Sequence, residues 1–194
     1  MAWHLVLDKE GVQVFSRSVE GSRFKEAKAT MIISSTLSEL VALVRDTDAC
    51  GEWAALCAKA DTIEVASETD LHVYTLNELP WPVSNRDAVA HVLWRQAPED
   101  LSVTMSASLV SGKLPENSGV VRLSYGETSW NFKPIGDGRV EVISRAHIDP
   151  GGAVPAWLTN RLLVRAPFET LAGMRMLVQT GRYADSKFEF VTEP

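Results

Sequence analysis

"DPGGAVPAWLTNRLLVRAPFETLAGMRMLVQT", running from Asp149 to Thr180, decides the fold. Asp149-Pro150-Gly151-Gly152 is a strong breaker, so the element before it must end there. Pro155 then stands where a first-turn proline belongs. From there to about Thr180 the apolar spacing predicts one long helical segment, interrupted at Pro167. At about 100° per residue, Trp157, Leu163, Val164, Phe168, Leu171, Met174 and Val178 fall on one arc. Leu158, Leu162 and Met176 make a second, smaller patch. A helix with so wide an apolar face needs a large apolar partner.

The preceding sequence supplies that partner as a sheet. Trp3–Asp8 and Val12–Arg17 read as a hairpin around Lys9-Glu10-Gly11, and Phe24–Ile33 as a third strand. Thr36 with Glu39 three residues on is a capping box, and Leu37, Leu40, Val41 and Val44 give the following helix its stripe. A short helical piece covers Ala49–Leu56. The period then switches to two. Thr62–Ser67, Leu71–Leu79, Asp87–Gln96, Leu101–Leu109, Val120–Phe132 and Val140–Ile148 read as consecutive strands with turn signals between them, an antiparallel meander. The expected architecture is α+β: a long curved antiparallel sheet wrapped around a long C-terminal helix. Residues 1–194 are expected to form a single domain.

Composition narrows the function. The 194 residues are 45% hydrophobic and 23% charged with a net charge of −6, ordinary for a globular protein large enough to bury a core and enclose a cavity. Without a basic run there is nothing to attract nucleic acid. No apolar run reaches the ~20 residues of a membrane span. MAWHLVLDKEG lacks the features of a signal peptide, which points to the cytoplasm; a leader replaced by Met1-Ala2 would make the protein periplasmic or secreted. The two cysteines, Cys50 and Cys57, are read as small buried or half-buried thiols.

"PWPVSNRD", Pro80–Asp87, is the densest local pattern. Pro80 and Pro82 stiffen the backbone and Trp81 offers a large anchor. Asp87 can accept loop N–H bonds, and Arg86 can clamp a carboxylate or carbonyls across the corner. Trp81, Arg86 and Asp87 are therefore assigned to a structural corner. Glu78 and Asp87 flank the octapeptide as a candidate acid/base pair, against the plainer reading of a solvated Glu and a loop-fixing Asp. His4, His72, His91 and His147 have no ligand spacing, so no metal site is expected, and no nucleotide or hydrolase motif occurs. No catalytic residue and no cofactor are nominated.

"PWPVSNRDAV", "SGVVRL" (Ser118–Leu123) and "DPGGAVPAWLTN" (Asp149–Asn160) together resemble the signatures of START domains, the StAR-related lipid-transfer modules. "KEGVQVFSRSVEGS" (Lys9–Ser22) and Trp53 fit the same pattern, and the phosphatidylcholine-transfer branch is the nearest in motifs. The resemblance implies a helix-grip fold with an internal hydrophobic cavity for one lipid and the C-terminal helix as lid. It also implies a monomer in transient contact with membranes. Its ligand-facing positions would include Trp53, Glu78, Trp157, Val164, Phe168, Leu171, Met174 and Arg175, with Arg175 alternatively a rim residue or a partner for a protein group. Gly151 and Gly152 would be a hinge, and the loop 111–119 a second part of the gate.

The departures from the family pattern matter as much. In the phosphatidylcholine carriers an Arg and an Asp bracket the tryptophan matched by Trp53; here those positions hold Cys50 and Ala54. The aromatic cage for choline falls on Thr75 and Ala88, so no cation–π cage can form. Of the acid–base pair of sterol binders, Glu78 matches the acid and Val92 replaces the base. A fatty acid, another phospholipid, an isoprenoid or an aromatic polyketide all stay open as cargo. The leading expectation is a binding module, a carrier or sensor; the alternative is a cyclase- or hydrolase-like enzyme using the same cavity.

Overall fold

The computed structural model describes Met1–Pro194. Its strands and helices run β1 (His4–Lys9), β2 (Val12–Ser18), β3 (Lys25–Ser34), α1 (Leu37–Arg45), α2 (Cys50–Trp53), β4 (Cys57–Ser67), β5 (Asp70–Asn77), β6 (Arg86–Gln96), β7 (Val103–Leu109), β8 (Val121–Arg122), β9 (Gly126–Gly136), β10 (Arg139–Ile148), α3 (Ala156–Asn160) and α4 (Ala166–Gln179), with a π-helical turn, Arg161–Arg165, joining the last two. Nine strands lie in the row β1-β2-β3-β10-β9-β7-β6-β5-β4, and the two-residue β8 pairs in parallel with the start of β6. Every neighbour in the row is antiparallel. The pairing of β3 with β10, far apart in sequence, joins two meanders into one sheet that wraps the C-terminal helix.

Local sequence explains most element ends. Glu10 and Gly11 both have positive φ, the pair of left-handed residues a two-residue hairpin turn requires. Thr36 Oγ1 accepts the Glu39 N–H at 3.1 Å, as the capping box predicts. The carboxylate of Glu39, however, accepts from the Ser35 hydroxyl. The α1 N-terminus is completed from the far end of the chain, where Glu193 accepts the Leu37 and Ser38 N–H groups at 2.9 and 2.8 Å. Both edge strands are irregular. β1 carries a register shift between Leu5 and Leu7, and β4 carries three along its length.

Three expectations are corrected. Val120–Phe132 is not one strand but β8 and β9, because Arg122 turns away to pair with Asp87. Cys50 and Cys57 are not free thiols; a disulfide joins them, with Cα atoms 5.8 Å apart. α2 and its connector bring the two together, geometry that spacing alone does not reveal. Third, the helix is interrupted by a wide turn just ahead of Pro167: the Ala166 N–H bonds to Arg161 O, five residues back. Upstream faces therefore rotate by about one residue relative to the assumed 100° step. Leu158 is fully buried, whereas Trp157, placed on the apolar arc, is 49% exposed.

Candidate ligand cavity

The inner face of the sheet changes character along its strands. At one end it presents Val12, Met31, Ile33, Phe132, Val140 and Val142, all buried. Leu171, Met174 and Val178 of α4 are buried in the same core. Toward the other end the inner positions shrink in register. Ala27 pairs with Ala146, which pairs with Thr128, and Ser144 precedes Ala146 on the same face of β10. On β2, Ser16 lies opposite Ala27. Small side chains stacked across four neighbouring strands cannot reach the helix. They leave a cavity of about 670 Å3 between the sheet and the stretch from Ala156 to Thr170.

The remaining wall comes from the connectors. Ala55 and Leu56 follow α2; Asn77, Leu79 and Arg86 come from the β5–β6 corner; Phe24 and Lys25 open β3. Of the 25 lining residues 13 are hydrophobic, so the space suits an apolar molecule. The disulfide closes the segment that carries Ala55 and Leu56, and the Ala55 N–H bonds to Thr170 of α4 at 3.1 Å.

Arg86 and Asp87 are sequence neighbours on a strand and therefore face opposite ways. Asp87 is fully buried on the outer face. Its carboxylate accepts from Arg122 Nε at 2.7 Å and Nη2 at 3.1 Å, from Asn117 at 2.9 Å and from the Tyr74 hydroxyl at 3.2 Å. The hydrogen bonds from Arg122 hold the Asp87 carboxyl below its usual range, and Asp87 raises Arg122 in return. Burial pushes the Tyr74 phenol up. Arg122 also donates to the Leu114 and Pro115 carbonyls, at 3.0 Å each. Arg86 faces inward and lines the cavity. It donates from Nε to Pro150 O at 3.0 Å, from Nη2 to Gly151 O at 2.9 Å, and from Nη1 to Ser84 O. It thus ties the corner to the Pro150-Gly151-Gly152 turn, whose glycines have φ values of +66° and +64°.

The expected ligand-facing residues mostly sit beside the cavity rather than on it. Leu171 and Met174 are fully buried and Phe168 packs against the same core, all in the filled half. Val164 is half-buried in the wide turn, and its neighbours Leu162 and Leu163 line the space instead. Trp53 meets Trp130 edge-on at 5.8 Å, and it is Trp130 that forms wall. Glu78 is exposed while Asn77 and Leu79 line the cavity, which removes the Glu78–Asp87 pairing. Arg175 donates to Glu10 O at 2.7 Å in the β1–β2 turn. Trp81 is 91% exposed and anchors nothing. The loop 111–119 contributes no lining residue. Its contacts run to Glu64 through Lys113, to Asp87 and Tyr74 through Asn117, and to Arg122.

Two contributors went unread in the sequence. Arg122, inside "SGVVRL", completes the corner that "PWPVSNRD" begins. Gly173 lets α4 cross α2: a Cβ there would stand 2.5 Å from Trp53 O. The parity of Arg86 with Ala88, Val92 and Trp94, all inner positions, was the available sign that Arg86 faces the helix.

Known proteins agree with this geometry. A START domain family model matches residues 1–184. An uncharacterized protein of Pseudomonas aeruginosa is 32% identical over 89% of this chain and 85% of its own length. The phosphatidylcholine transfer protein of Bos taurus is 26% identical over 82% of this chain and 76% of its own. A crystal structure of a fragment of the STAR-related lipid transfer protein from Xanthomonas axonopodis superposes with a TM-score of 0.83 at 33% identity, covering 91% of this chain and 98% of that one.

Proposed function

This chain belongs to the START domain family, and from that premise we propose that it binds one lipid or similar hydrophobic molecule in the cavity under the C-terminal helix, as a carrier or sensor. The observation that carries the reading is the in-register shrinkage of the sheet's inner face, which opens about 670 Å3 of mostly apolar space in an otherwise filled core. The lining has no carboxylate, histidine, cysteine or tyrosine, so it offers no group for proton transfer near neutral pH. That favours binding over the cyclase- or hydrolase-like alternative.

Entry requires the helical lid to move. The pair Gly151-Gly152 is the hinge, with Arg86 as its latch, and the wide turn before Pro167 divides the lid in two. Trp157 and Trp81 are exposed tryptophans of the kind that seat at a bilayer interface during loading. Cargo other than phosphatidylcholine is expected. Cys50 is tied into a disulfide, and Thr75 and Ala88 stand side by side on β5 and β6 without aromatic faces. Native mass spectrometry of protein from its own host tests the proposal: a co-purifying hydrophobic molecule released by organic solvent is expected. Protein that stays empty and takes up no lipid from vesicles would refute it.

A further inference from the structure

Arg86 is the only cationic side chain among the buried residues, at 5% exposure, in a protein with net charge −6. The other well-shielded arginine, Arg122, lies against the carboxylate of Asp87. No carboxylate lies within salt-bridge distance of Arg86. Its three hydrogen bonds all go to carbonyl oxygens. Carbonyl dipoles satisfy three of the five guanidinium N–H groups and leave the charge without a counterion. Burial lowers its pKa, yet an arginine stays protonated inside a protein.

The rest of the lining has the same sign. Lys25, an inner-face position of β3, and Arg23 are exposed residues that line the cavity, and the wall has no acid to balance them. Arg145, one residue from the inner Ser144, also borders the cavity, and its charge acts on Lys28 as well. Size adds a second limit. At roughly 30 Å3 per water-sized group, 670 Å3 holds on the order of twenty non-hydrogen atoms. That suits one alkyl chain with a small headgroup rather than two chains.

We infer that the cavity takes a single-chain anionic amphiphile whose carboxylate or phosphate is the counterion of Arg86. This rests on the lipid-binding reading and sharpens it. An oxyanion fits the two free N–H groups by charge-assisted hydrogen bonds, the strongest kind available to a guanidinium. The position of Arg86 gives the anion a second effect. The same guanidinium holds the Pro150 and Gly151 carbonyls, so a headgroup drawing on it competes with the latch on the hinge.

The test is a binding titration of the full chain with palmitate, hexadecyl phosphate and hexadecanol, which share a chain and differ in headgroup. At least one of the two anions should bind about tenfold or more tighter than the alcohol, and the tighter one names the headgroup. In Arg86→Met the anion-to-alcohol ratio should fall toward one, while Arg139→Met, an exposed cation outside the lining, keeps it. Should Arg86→Met fail to fold, the wild-type ratio still decides. Equal binding of all three by the wild type would overturn the anionic assignment and leave lipid carriage standing. Failure of all three to bind while lipid is taken up from vesicles would overturn the single-chain anionic assignment alone; failure of both would take lipid carriage down with it.

Discussion

The two ends of the sheet's inner face are built from the same strands and covered by the same helical segment, yet one is solid and the other hollow. At the solid end Met31, Ile33, Phe132, Val140 and Val142 are buried in one core with Leu171 and Met174. At the hollow end the same strands present Ala27, Thr128, Ser144 and Ala146, and the helix above them is divided and partly exposed. The backbone spacing is common to both; the side-chain volume is not. A cavity of this kind needs no special loop, only a few small residues aligned across strands. The solid end holds the fold, which lets the hollow end stay unfilled.

The largest expected effect concerns what holds the hollow end from outside. Asp87→Asn leaves Arg122 shielded without its carboxylate and should cost about 3–5 kcal/mol in urea unfolding. The wild type carries the same information in its acid response. The pKa of Asp87 is depressed in the folded state, so its contribution is complete above the ordinary Asp value of 3.8 and disappears as pH falls through the folded value. Amide exchange below pH 4 should rise in Arg86–Val89 before it rises in α4; the reverse order would dissolve the distinction between the two ends.

Next comes a matched truncation. Leu171→Ala, at the solid end, should cost about 3 kcal/mol, whereas Leu163→Ala, which enlarges a space already present, should cost less than about 1 kcal/mol. Equal drops in Tm would mean that the hollow end is as tightly packed as the other. Filling gives the opposite contrast. Ala29→Leu adds volume at a fully buried site and should cost about 1–3 kcal/mol. Ala146→Leu should be nearly neutral in Tm and abolish lipid uptake. Loss of stability without loss of uptake would show that ligand binds elsewhere. The last contrast is at Gly151, in the proposed hinge. Gly151→Ala forces a Cβ into a left-handed conformation, with Val121 Cγ1 3.1 Å away, and should cost about 1 kcal/mol while slowing lipid exchange.

The sequence disclosed the architecture because its signals are local. The two-residue period marked the strands, Thr36 and Glu39 the first helix, and Asp149–Gly152 the passage from the sheet to the C-terminal helix. The site was less legible because it depends on phase. One wide turn at Arg161–Arg165 moved Trp157 outward and Leu158 inward, and no residue in that turn announces it. Much of the wall was written in alanines, threonines and one serine, which a search for conspicuous side chains passes over. Trp81 drew attention by its size and stands in solvent, while Arg86 beside the same prolines turned inward. The disulfide and the Gly173 crossing depend on tertiary proximity, which no spacing in the chain encodes.

The irregular strands at the two margins of the row have a consequence for how the protein meets its own copies. A nine-strand row that never closes leaves an unpaired backbone ladder on each side, a template on which a second chain could extend the sheet without limit. Here β4 interrupts its ladder three times and carries Lys59, Asp61 and Glu64, and β1 breaks after Leu5 and ends in Asp8 and Lys9. A copy approaching either margin finds charges and mismatched hydrogen-bond spacing in place of a continuous edge, so polymerisation through the sheet is discouraged at its first step.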